Sequence, residues 1–317
     1  MKNNAKNRMD AILHEILEIP ARAQEALSHP AAALPQRVPY LGMGSSYFAP
    51  LAFKYLGVPI YPELASEYVC YLAQDKKEPL AVLLSQSGRS SEVLWCRVLF
   101  DSYIAVSNDT DSELCTSPNV VGVIPILAGV ERYSSSKTYV NTLLALFRGF
   151  GFSPAPTIAH IARSMERYQA QGQHLAEEVF ELLNQHDIHG IYITGSGPNI
   201  ATALEAALIL SETTKLTFQG LPMAQYDHGP KETAHNSIVI QILSPGGAYE
   251  RTHHLSETIA EAGAYVLTVE DPDVEETYSI LANIIPFNFM AYYLAMKLNV
   301  SETFVVGGKV TEVQSGS

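Results

Sequence analysis

Cysteine is scarce in this sequence, and its cysteines are poorly placed for cross-links. Among 317 residues there are 3 cysteines, Cys70, Cys96 and Cys115, which are widely spaced between apolar neighbours. An odd number of isolated cysteines argues against a disulfide framework. Paired Cys-x-x-Cys and His-Glu-x-x-His patterns are also missing. The adjacent His253 and His254 would point in different directions on a helix, so we predict no metal site and no cofactor.

Positive charge is also in short supply. The sequence has 20 Lys and Arg residues against 33 Asp and Glu residues, which gives a net charge of −13. That is the wrong sign for a surface that binds nucleic acid or an anionic membrane, so neither is expected as a partner. An acidic protein that binds an anion must do so in a pocket built for it.

Apolar runs of membrane-spanning length are not expected in this sequence. The first residues, "MKNNAKNRMDAILHEILEIPARAQEAL", lack the apolar centre of a signal peptide. Their leucines and isoleucines follow helical spacing, which predicts an amphipathic helix. We therefore predict a cytoplasmic location.

The sequence does contain the same strand–helix pattern in two places. Residues 38–68 run as strand, glycine turn, helix and strand, and residues 190–222 follow the same order, with "KLTF" (215–218) as the second candidate strand. Further along, "LAVLLSQSG" matches "SIVIQILSPGG", "SYIAVSND" matches "AYVLTVED", and "VIPIL" matches "IIPF". Each half therefore has five candidate strands, mostly separated by helical stretches.

Strands that alternate with helices predict parallel sheets covered on both faces. We predict an α/β fold with two doubly wound, flavodoxin-like domains related by internal duplication. The predicted parts are an N-terminal helical segment (1–35), a first domain (36–150), a linker helix (151–180) and a second domain with the C-terminal tail (181–317).

The segment "SQSGRSS" directly follows the apolar run that ends at Leu84. In a parallel α/β sheet, ligands lie beyond the carboxyl ends of the strands, and a loop that starts a helix offers unpaired N–H groups. Ser85, Ser87 and Ser90 add hydroxyl donors without charge, and Gly88 lets the backbone come close. This predicts a phosphate cradle that needs no Walker lysine. The alternative is that these serines only cap the helix and fill the turn.

Two glycine turns, "GMGSS" and "GSGP", resemble half of a dinucleotide fingerprint, but neither completes G-x-G-x-x-G. No acidic residue follows in the expected place. For Gly195 and Gly197 the pattern favours a tight turn without a ligand. Ser45 and Ser46 are better binding candidates, because they would lie beside the serine-rich loop across the switch point of the sheet.

Seven motifs in order resemble the sugar isomerase (SIS) superfamily. They are "GMGSSY" (42–47), "LSQSGRS" (84–90), "SND" (107–109), "SSSKT" (134–138), "ALEAALILSET" (203–213), "HGP" (228–230) and "GKVTE" (308–312). The sequence is similar, over nearly its whole length, to the tandem-SIS isomerase half of glucosamine-6-phosphate synthase. It also resembles the stand-alone amino-sugar-phosphate deaminases and fructosamine-phosphate deglycases. No cysteine glutaminase domain is expected, so glutamine would not supply ammonia within this chain.

The resemblance implies a sugar-phosphate site with three catalytic residues. Glu212 would move a proton between sugar carbons 1 and 2. His228 would assist ring opening in the site of a neighbouring subunit of a homodimer. Lys309 would lie beside the carbonyl carbon, either as a Schiff-base former or as an electrostatic aid. The candidate substrate-binding residues are Ser45, Ser46, Ser85, Gln86, Ser87, Ser90, Ser134, Ser135 and Glu205.

The chemistry suits these residue types, although each has a plainer interpretation. Aldose–ketose interconversion needs a carboxylate of near-neutral strength, and partial burial raises the pKa of a Glu toward that range. A lysine can steady the enediolate as an ammonium ion or attack the carbonyl as a neutral amine. Taken alone, the sequence favours a solvated carboxylate for Glu212, a turn residue for His228 and tail solvation for Lys309. The resemblance favours catalytic roles for Glu212 and His228 over these plainer interpretations. It also supports a catalytic role for Lys309.

The sequence also departs from the synthase pattern. Ile209 stands where the synthase has a lysine one turn before the catalytic Glu, and Asp227 replaces a lysine next to His228. These changes argue against glucosamine-6-phosphate synthesis. We predict a phosphosugar isomerase that acts on a ketose- or amino-sugar 6-phosphate, with isomerisation coupled to deamination or deglycation. The alternative is a phosphosugar sensor that binds without catalysis.

Overall fold

The structure, a computed structural model, describes residues 2–300 and 302–312, with side chains from residue 10 onward. It consists of two compact units, each built on one parallel sheet. The first-sheet unit comprises residues 19–155 and 304–312. The second-sheet unit comprises residues 2–18, 156–300, 302 and 303.

The first-sheet unit has five parallel strands in the order β2-β1-β3-β4-β5. The strands are β1 (Pro39–Gly42), β2 (Tyr61–Leu64), β3 (Glu78–Leu84), β4 (Phe100–Ser107) and β5 (Val120–Pro125). This order is that of flavodoxin-like folds, whose switch point lies between β1 and β3. Since every strand pair is parallel, the predicted α/β class is confirmed for this sheet.

Helices cover both faces of the first sheet. They are α2 (Ile19–Ser28), α3 (Ser45–Tyr55), α4 (Ala65–Glu67), α5 (Ser91–Cys96), α6 (Glu113–Thr116) and α7 (Lys137–Gly149), with a π-helical turn at Tyr68–Leu72 and a 3-10 turn at Arg97–Leu99. Helix α7 is the most deeply buried of them, with 11 of its 13 residues inaccessible to solvent. It meets α3 through Phe53 and Phe147, whose ring centroids lie 4.7 Å apart. Cys96 and Cys115 pack into the opposite face of the sheet as free thiols.

The second-sheet unit has four parallel strands in the order β7-β6-β8-β9. The strands are β6 (Gly190–Gly195), β7 (Gln219–Pro222), β8 (Ser237–Leu243) and β9 (Tyr265–Glu270). The helices are α1 (Lys2–Leu17), α8 (Ala155–Gln185), α9 (Asn199–Thr214), α10 (Met223–Asp227), α11 (Tyr249–Glu261) and α12 (Glu276–Lys297), with a 3-10 turn at Pro230–Thr233. All its strand pairs are parallel, so the α/β class holds for this sheet as well.

Two strand predictions in the second half were wrong. The segment "IIPF" lies inside α12, where 16 of 22 residues are buried. The segment "KLTF" is not a strand either, because Lys215 ends α9 in the left-handed region, with φ 66°. The strand there begins four residues later, at Gln219.

The two compact units differ from the predicted domain boundaries at both ends of the chain. The amphipathic N-terminal segment forms two helices with a break at Glu18, just ahead of Pro20 in α2. Residues 2–18 group with the second-sheet unit, where Ile12 and Ile16 are buried. Residues 304–312 return to the first-sheet unit. The predicted linker helix is α8, which extends to Gln185 and packs against α12 at Gly172.

Helix α12 also corrects the expectation that no apolar stretch reaches membrane-spanning length. It is the one described helix that is long and apolar enough to do so. However, 89% of its most apolar 18-residue window is buried inside the protein. Such burial is typical of a core helix in a globular protein.

A buried carboxylate joins β9 to α8 within the second-sheet unit. The Oδ2 of Asp271 accepts hydrogen bonds from His160 at 2.9 Å, from Arg167 at 2.6 Å and from the hydroxyl of Tyr168. Burial alone would raise the pKa of Asp271, but the hydrogen bonds of Arg167, Tyr168 and His160 outweigh it and hold that pKa at about 2. Asp271 is therefore ionised at neutral pH and anchors the loop that leads into α12.

Asp271→Asn should lower the free energy of unfolding by about 2–4 kcal/mol at pH 7, because Arg167 then loses its ionised partner. The pKa of folded Asp271 lies below its ordinary value of 3.8. Its stabilisation is therefore complete above about pH 4 and is lost as the pH falls toward 2. Urea unfolding at pH 7 and pH 3 measures both effects.

The matched control is Asp273→Asn, since Asp273 is exposed and only its backbone N–H donates to Asp271. This control should leave stability nearly unchanged. Equal losses in the two variants, or a loss in Asp271→Asn that does not shrink at pH 3, would contradict the assignment.

Candidate active site

The serine-rich loop lies at the carboxyl edge of the first sheet, between β3 and α5. The hydroxyls of Ser85 and Ser90 are 3.1 Å apart and share a hydrogen bond across the loop. The backbone N–H of Asn108, at the end of β4, donates to the carbonyl of Gln86 at 3.0 Å. The first bond closes the loop on itself, and the second holds the loop against the end of β4.

Gly88 is required for this loop conformation. Its φ is 64°, and a Cβ at this position would lie 1.9 Å from the Oγ of Ser112. The carbonyl of Gly88 accepts from the N–H of Leu114 at 3.3 Å, which ties the loop to α6. Any side chain at position 88 would therefore strain the backbone and displace Ser112.

The helix that follows the loop is short. Helix α5 has 6 residues before it tightens into a 3-10 turn. The N–H of Ser91, in its first turn, donates to the carbonyl of Thr311 at 3.4 Å. The dipole of α5 therefore contributes little to the binding of an anion at this loop. Hydroxyls such as that of Ser87, which accepts from the N–H of Arg89 at 3.2 Å, are the main polar groups of the loop.

A cavity of about 320 Å³ opens beside this loop. It is lined by Gln86, Ser87, Arg89, Asp109, Glu131, Arg132, Lys309 and Val310. Its volume is in the range of small-molecule sites. Three cationic and two acidic side chains line it, so the cavity is locally positive in a chain of net charge −13.

The cavity brings Gln86 and Ser87 together with Lys309, which lies far away in sequence. Lys309 Nζ lies 2.9 Å from Glu131 Oε2 and donates a second hydrogen bond, of 3.1 Å, to the carbonyl of Glu131. The side chain of Glu131 is fully buried, whereas that of Lys309 is 19% exposed. Glu131 is therefore the partner that fixes the tail lysine in the cavity.

Glu131 also binds the start of α7. Its Oε1 accepts from the N–H and hydroxyl of Ser136, both at 2.9 Å, and from the N–H of Thr138 at 3.2 Å, while its Oε2 accepts from the hydroxyl of Thr138. Burial alone would raise the pKa of Glu131, but the charge of Lys309 and the bonds from Thr138 outweigh it and lower that pKa. The first N–H groups of a helix need such an acceptor.

Sequence reasoning missed Glu131, Arg89 and Arg132. A signal for Glu131 exists, because it is the acidic residue between the end of β5 and the serine-rich start of α7. An acidic residue in that position serves a helix N-terminus. For Arg89 and Arg132, both exposed, the sequence contains no such signal.

The other predicted serines lie in two neighbouring turns of the same unit. The hydroxyl of Ser45, in the first turn of α3, donates to Ser135 at 3.1 Å. Ser46 and Ser134 are half-buried. The turn before Ser46 needs Gly42, because a Cβ there would lie 2.4 Å from the carbonyl oxygen of Ser46. The structure thus joins the "GMGSS" and "SSSKT" motifs.

Glu212 and Glu205 lie on α9 of the second-sheet unit. Glu212 is half-buried, whereas Glu205 is fully buried, two turns earlier on the same stripe. Ile209 between them has no exposed surface. Its place in the hydrophobic core explains an apolar residue at this position.

A cation nevertheless lies close to Glu212. The Nζ of Lys215 donates to the carbonyls of Glu212 and Thr303. Burial lowers the pKa of Lys215, and the negative charges of Glu212 and Glu302 partly offset this effect. Lys215 therefore places positive charge at the end of α9 that carries Glu212.

His228 is exposed and directly follows α10. Its backbone N–H donates to the carbonyl of Ala224 at 3.1 Å. The neighbouring Asp227 forms ion pairs of 3.0 Å with Lys231 and with Arg251, whose hydrogen bonds lower its pKa. The loop is therefore well anchored, and His228 within it is exposed.

One cluster of possible metal ligands occurs in the described part of the second-sheet unit. Ligand atoms of His160, Asp271 and Asp273 lie within 4.8 Å of one another. The Oδ2 of Asp271 already pairs with Arg167 at 2.6 Å. A metal ion bound there would have to compete with the guanidinium of Arg167 for this carboxylate oxygen.

Known proteins with similar sequence and fold were found. No protein-family model matches the chain. A glutamine–fructose-6-phosphate aminotransferase of Methanothermobacter thermautotrophicus is 25% identical over 296 residues, which cover 83% of this chain and 49% of that protein. The chain thus spans about half the length of the curated relatives it matches.

Solved structures share the fold. Glucosamine-6-phosphate deaminase from Thermotoga maritima has a TM-score of 0.75 and 19% identity, with coverage of 92% of this chain and 95% of the other. The C-terminal domain of glucosamine-fructose-6-phosphate aminotransferase from Francisella tularensis has a TM-score of 0.73 and 18% identity, with coverage of 91% and 96%.

Gly88→Ala should distort the serine-rich loop and destabilise the protein. A left-handed alanine costs about 1–2 kcal/mol, and the collision with Ser112 adds about 1–3 kcal/mol. The matched control is Gly57→Ala, because Gly57 has φ 83° and open space around its Cβ. Urea unfolding should show the larger loss of stability for Gly88→Ala. Equal effects of the two substitutions would contradict the steric argument.

Proposed function

We propose that this chain is an enzyme of the tandem sugar isomerase (SIS) type that acts on a sugar phosphate, because it is similar in sequence to glutamine–fructose-6-phosphate aminotransferases and shares its fold with solved structures of a deaminase and an aminotransferase domain. The observation that carries this proposal is the cavity of the first-sheet unit. It combines Gln86 and Ser87 with a fixed cation, Lys309, in a strongly acidic chain.

In this proposal the serine-rich loop holds the phosphate through neutral donors. The hydroxyls of Ser85, Ser87 and Ser90 and the N–H groups of the loop are the donors, and Arg89 adds long-range attraction for the dianion. Ser45, Ser46, Ser134 and Ser135 of the two neighbouring turns, with Gln86, bind sugar hydroxyls. Glu205 has a supporting role through Glu212, because it is fully buried on the same face of α9.

The proposed chemistry is proton transfer between sugar carbons 1 and 2. Glu212 is the base, and its half-buried carboxylate suits a proton that must be accepted and returned. Lys215 next to Glu212 supplies the positive charge that Ile209 does not. The finer reaction we propose is isomerisation coupled to deamination or deglycation of an amino-sugar or fructosamine 6-phosphate, in the cytoplasm and without a cofactor.

Glu212→Gln should lower kcat by about 100- to 10,000-fold, because the amide cannot accept the proton. Affinity for the sugar phosphate should stay nearly the same, since the phosphate contacts are untouched. The assay incubates the protein with glucosamine 6-phosphate, fructose 6-phosphate and fructosamine 6-phosphates and measures ammonia, released amine and isomerised sugar. Glu261→Gln, at an exposed position on α11, is the matched control and should retain full activity.

A phosphosugar sensor is the second candidate function, and the buried Ile209 favours it. A sensor should bind one of these sugar phosphates without any turnover, and Glu212→Gln should then change nothing. Binding without turnover across the whole panel would overturn the enzyme proposal.

We further propose that the active form is a homodimer in which His228 serves the site of the partner. The exposed position of His228 is the supporting observation. Glu212→Gln and His228→Asn proteins, each inactive alone, should regain activity when their subunits exchange. In a hybrid dimer one site carries both defects and the other carries neither, so about half of the hybrid sites should work. Confirmed exchange with activity at background would contradict the shared site.

A further inference from the structure

We propose that Glu131 is a positioning residue that keeps Lys309 as an ammonium ion in the first-sheet cavity, so that Lys309 acts through its charge and not as a Schiff-base-forming amine. The proposal chooses between the two roles that the family resemblance leaves open for this lysine. Its consequence for catalysis rests on the proposed function, whereas the state of Lys309 can be tested without any reaction.

The geometry of the pair is the first argument. Lys309 Nζ donates to both the carboxylate and the carbonyl of Glu131, at 2.9 and 3.1 Å. An ammonium group has three N–H donors, whereas a neutral amine has two and needs its lone pair free for attack. Two donors are thus engaged by Glu131, and a third remains for a substrate oxygen.

The surroundings of Glu131 are the second argument. Its carboxylate is fully buried and accepts four hydrogen bonds from Ser136 and Thr138, apart from those of Lys309. These donors favour the ionised carboxylate, which agrees with the lowered pKa of Glu131. If Lys309 became neutral, a buried negative charge would lose this cationic partner, which is costly.

The tail that carries Lys309 has few other anchors. Residues 304–312 form no helix or strand, and Val305 and Val306 are 61% and 93% exposed. Besides the pair with Glu131, the N–H of Ser91 donates to the carbonyl of Thr311 at 3.4 Å. Glu131 therefore decides where the cation of the tail sits.

The role that follows is electrostatic. During proton transfer a negative oxygen develops on the open-chain sugar, and an ammonium fixed in a partly buried site stabilises it without reorganisation. The sugar carbonyl keeps its oxygen, no water leaves, and no carbon–nitrogen bond to Lys309 forms. Catalysis should then need a cation at position 309 but not a primary amine.

Amine labelling tests the ion pair in the full-length protein without substrate. Formaldehyde with cyanoborohydride methylates accessible neutral amines, and peptide mass mapping gives the rate at each lysine. Lys309 should react at least about tenfold more slowly than the exposed Lys76, and Glu131→Gln should raise its rate about tenfold. Thr138→Val, which removes one bond to Glu131 but no charge, is the matched control and should leave the rate unchanged.

The labelling result can overturn the proposal in two ways. Fast labelling of Lys309 in the unaltered protein would show a free amine. An unchanged rate in folded Glu131→Gln would show that burial alone protects the lysine. If Glu131→Gln fails to fold, the comparison of Lys309 with Lys76 in the unaltered protein still decides the first point.

Trapping and substitution test the catalytic consequence. Borohydride added to the unaltered protein with fructose 6-phosphate should leave Lys309 without a sugar adduct, and a reduced adduct would overturn the proposal. Lys309→Arg should keep kcat within about 100-fold and change KM little, whereas Lys309→Met should lose activity further. An inactive Lys309→Arg with intact binding would favour the covalent role. If no substrate turns over, the proposed function fails, but the labelling result still stands.

Discussion

Both units of this protein must compensate the free-energy cost of burying an ionised carboxylate. In each unit one buried acid follows the last strand of the sheet, Glu131 after β5 and Asp271 after β9. An ionised carboxylate in such a place must be paired and hydrogen-bonded. Glu131 meets this demand with the start of α7 and the tail lysine, Lys309, and Asp271 meets it with side chains of α8. The carboxylates thereby determine where two distant segments dock.

The acidic balance of the chain is the second constraint, because a site for an anion would need local positive charge, and the two sheets differ in this respect. The loop after β3 borders a cavity with Gln86, Ser87 and Arg89. The corresponding loop after β8 has the sequence "SPGG", and the carboxylate of Glu276 packs against Gly246, where a Cβ would lie 2.1 Å from its Cδ. A negative charge of the protein itself thus stands at this edge of the second sheet. Of the two loops, the one after β3 has cationic side chains beside it, namely Arg89, Arg132 and Lys309.

Much of the fold could be predicted because its signals are local. Alternation of strands with helices led to two parallel sheets, and the clustered hydroxyls after Leu84 marked the loop that borders the cavity. The wrong predictions, "IIPF" and "KLTF", concern short apolar runs. Such runs are compatible with either a strand or a buried helix, because periodicity cannot separate the two when every side is buried. Tertiary packing determines that "IIPF" is helical and that "KLTF" is not a strand.

The sequence by itself determined the α/β class, the position of the serine-rich loop and the residue types available for proton transfer. It did not reveal the partner of Lys309, which lies 178 residues away, or the cluster of His160, Arg167 and Tyr168 around Asp271, more than 100 residues away in the chain. Only the tertiary structure decided these contacts. The physical reason is that helices and turns follow from neighbours in sequence, whereas the environment of a buried charge depends on which distant groups the fold brings within hydrogen-bond distance.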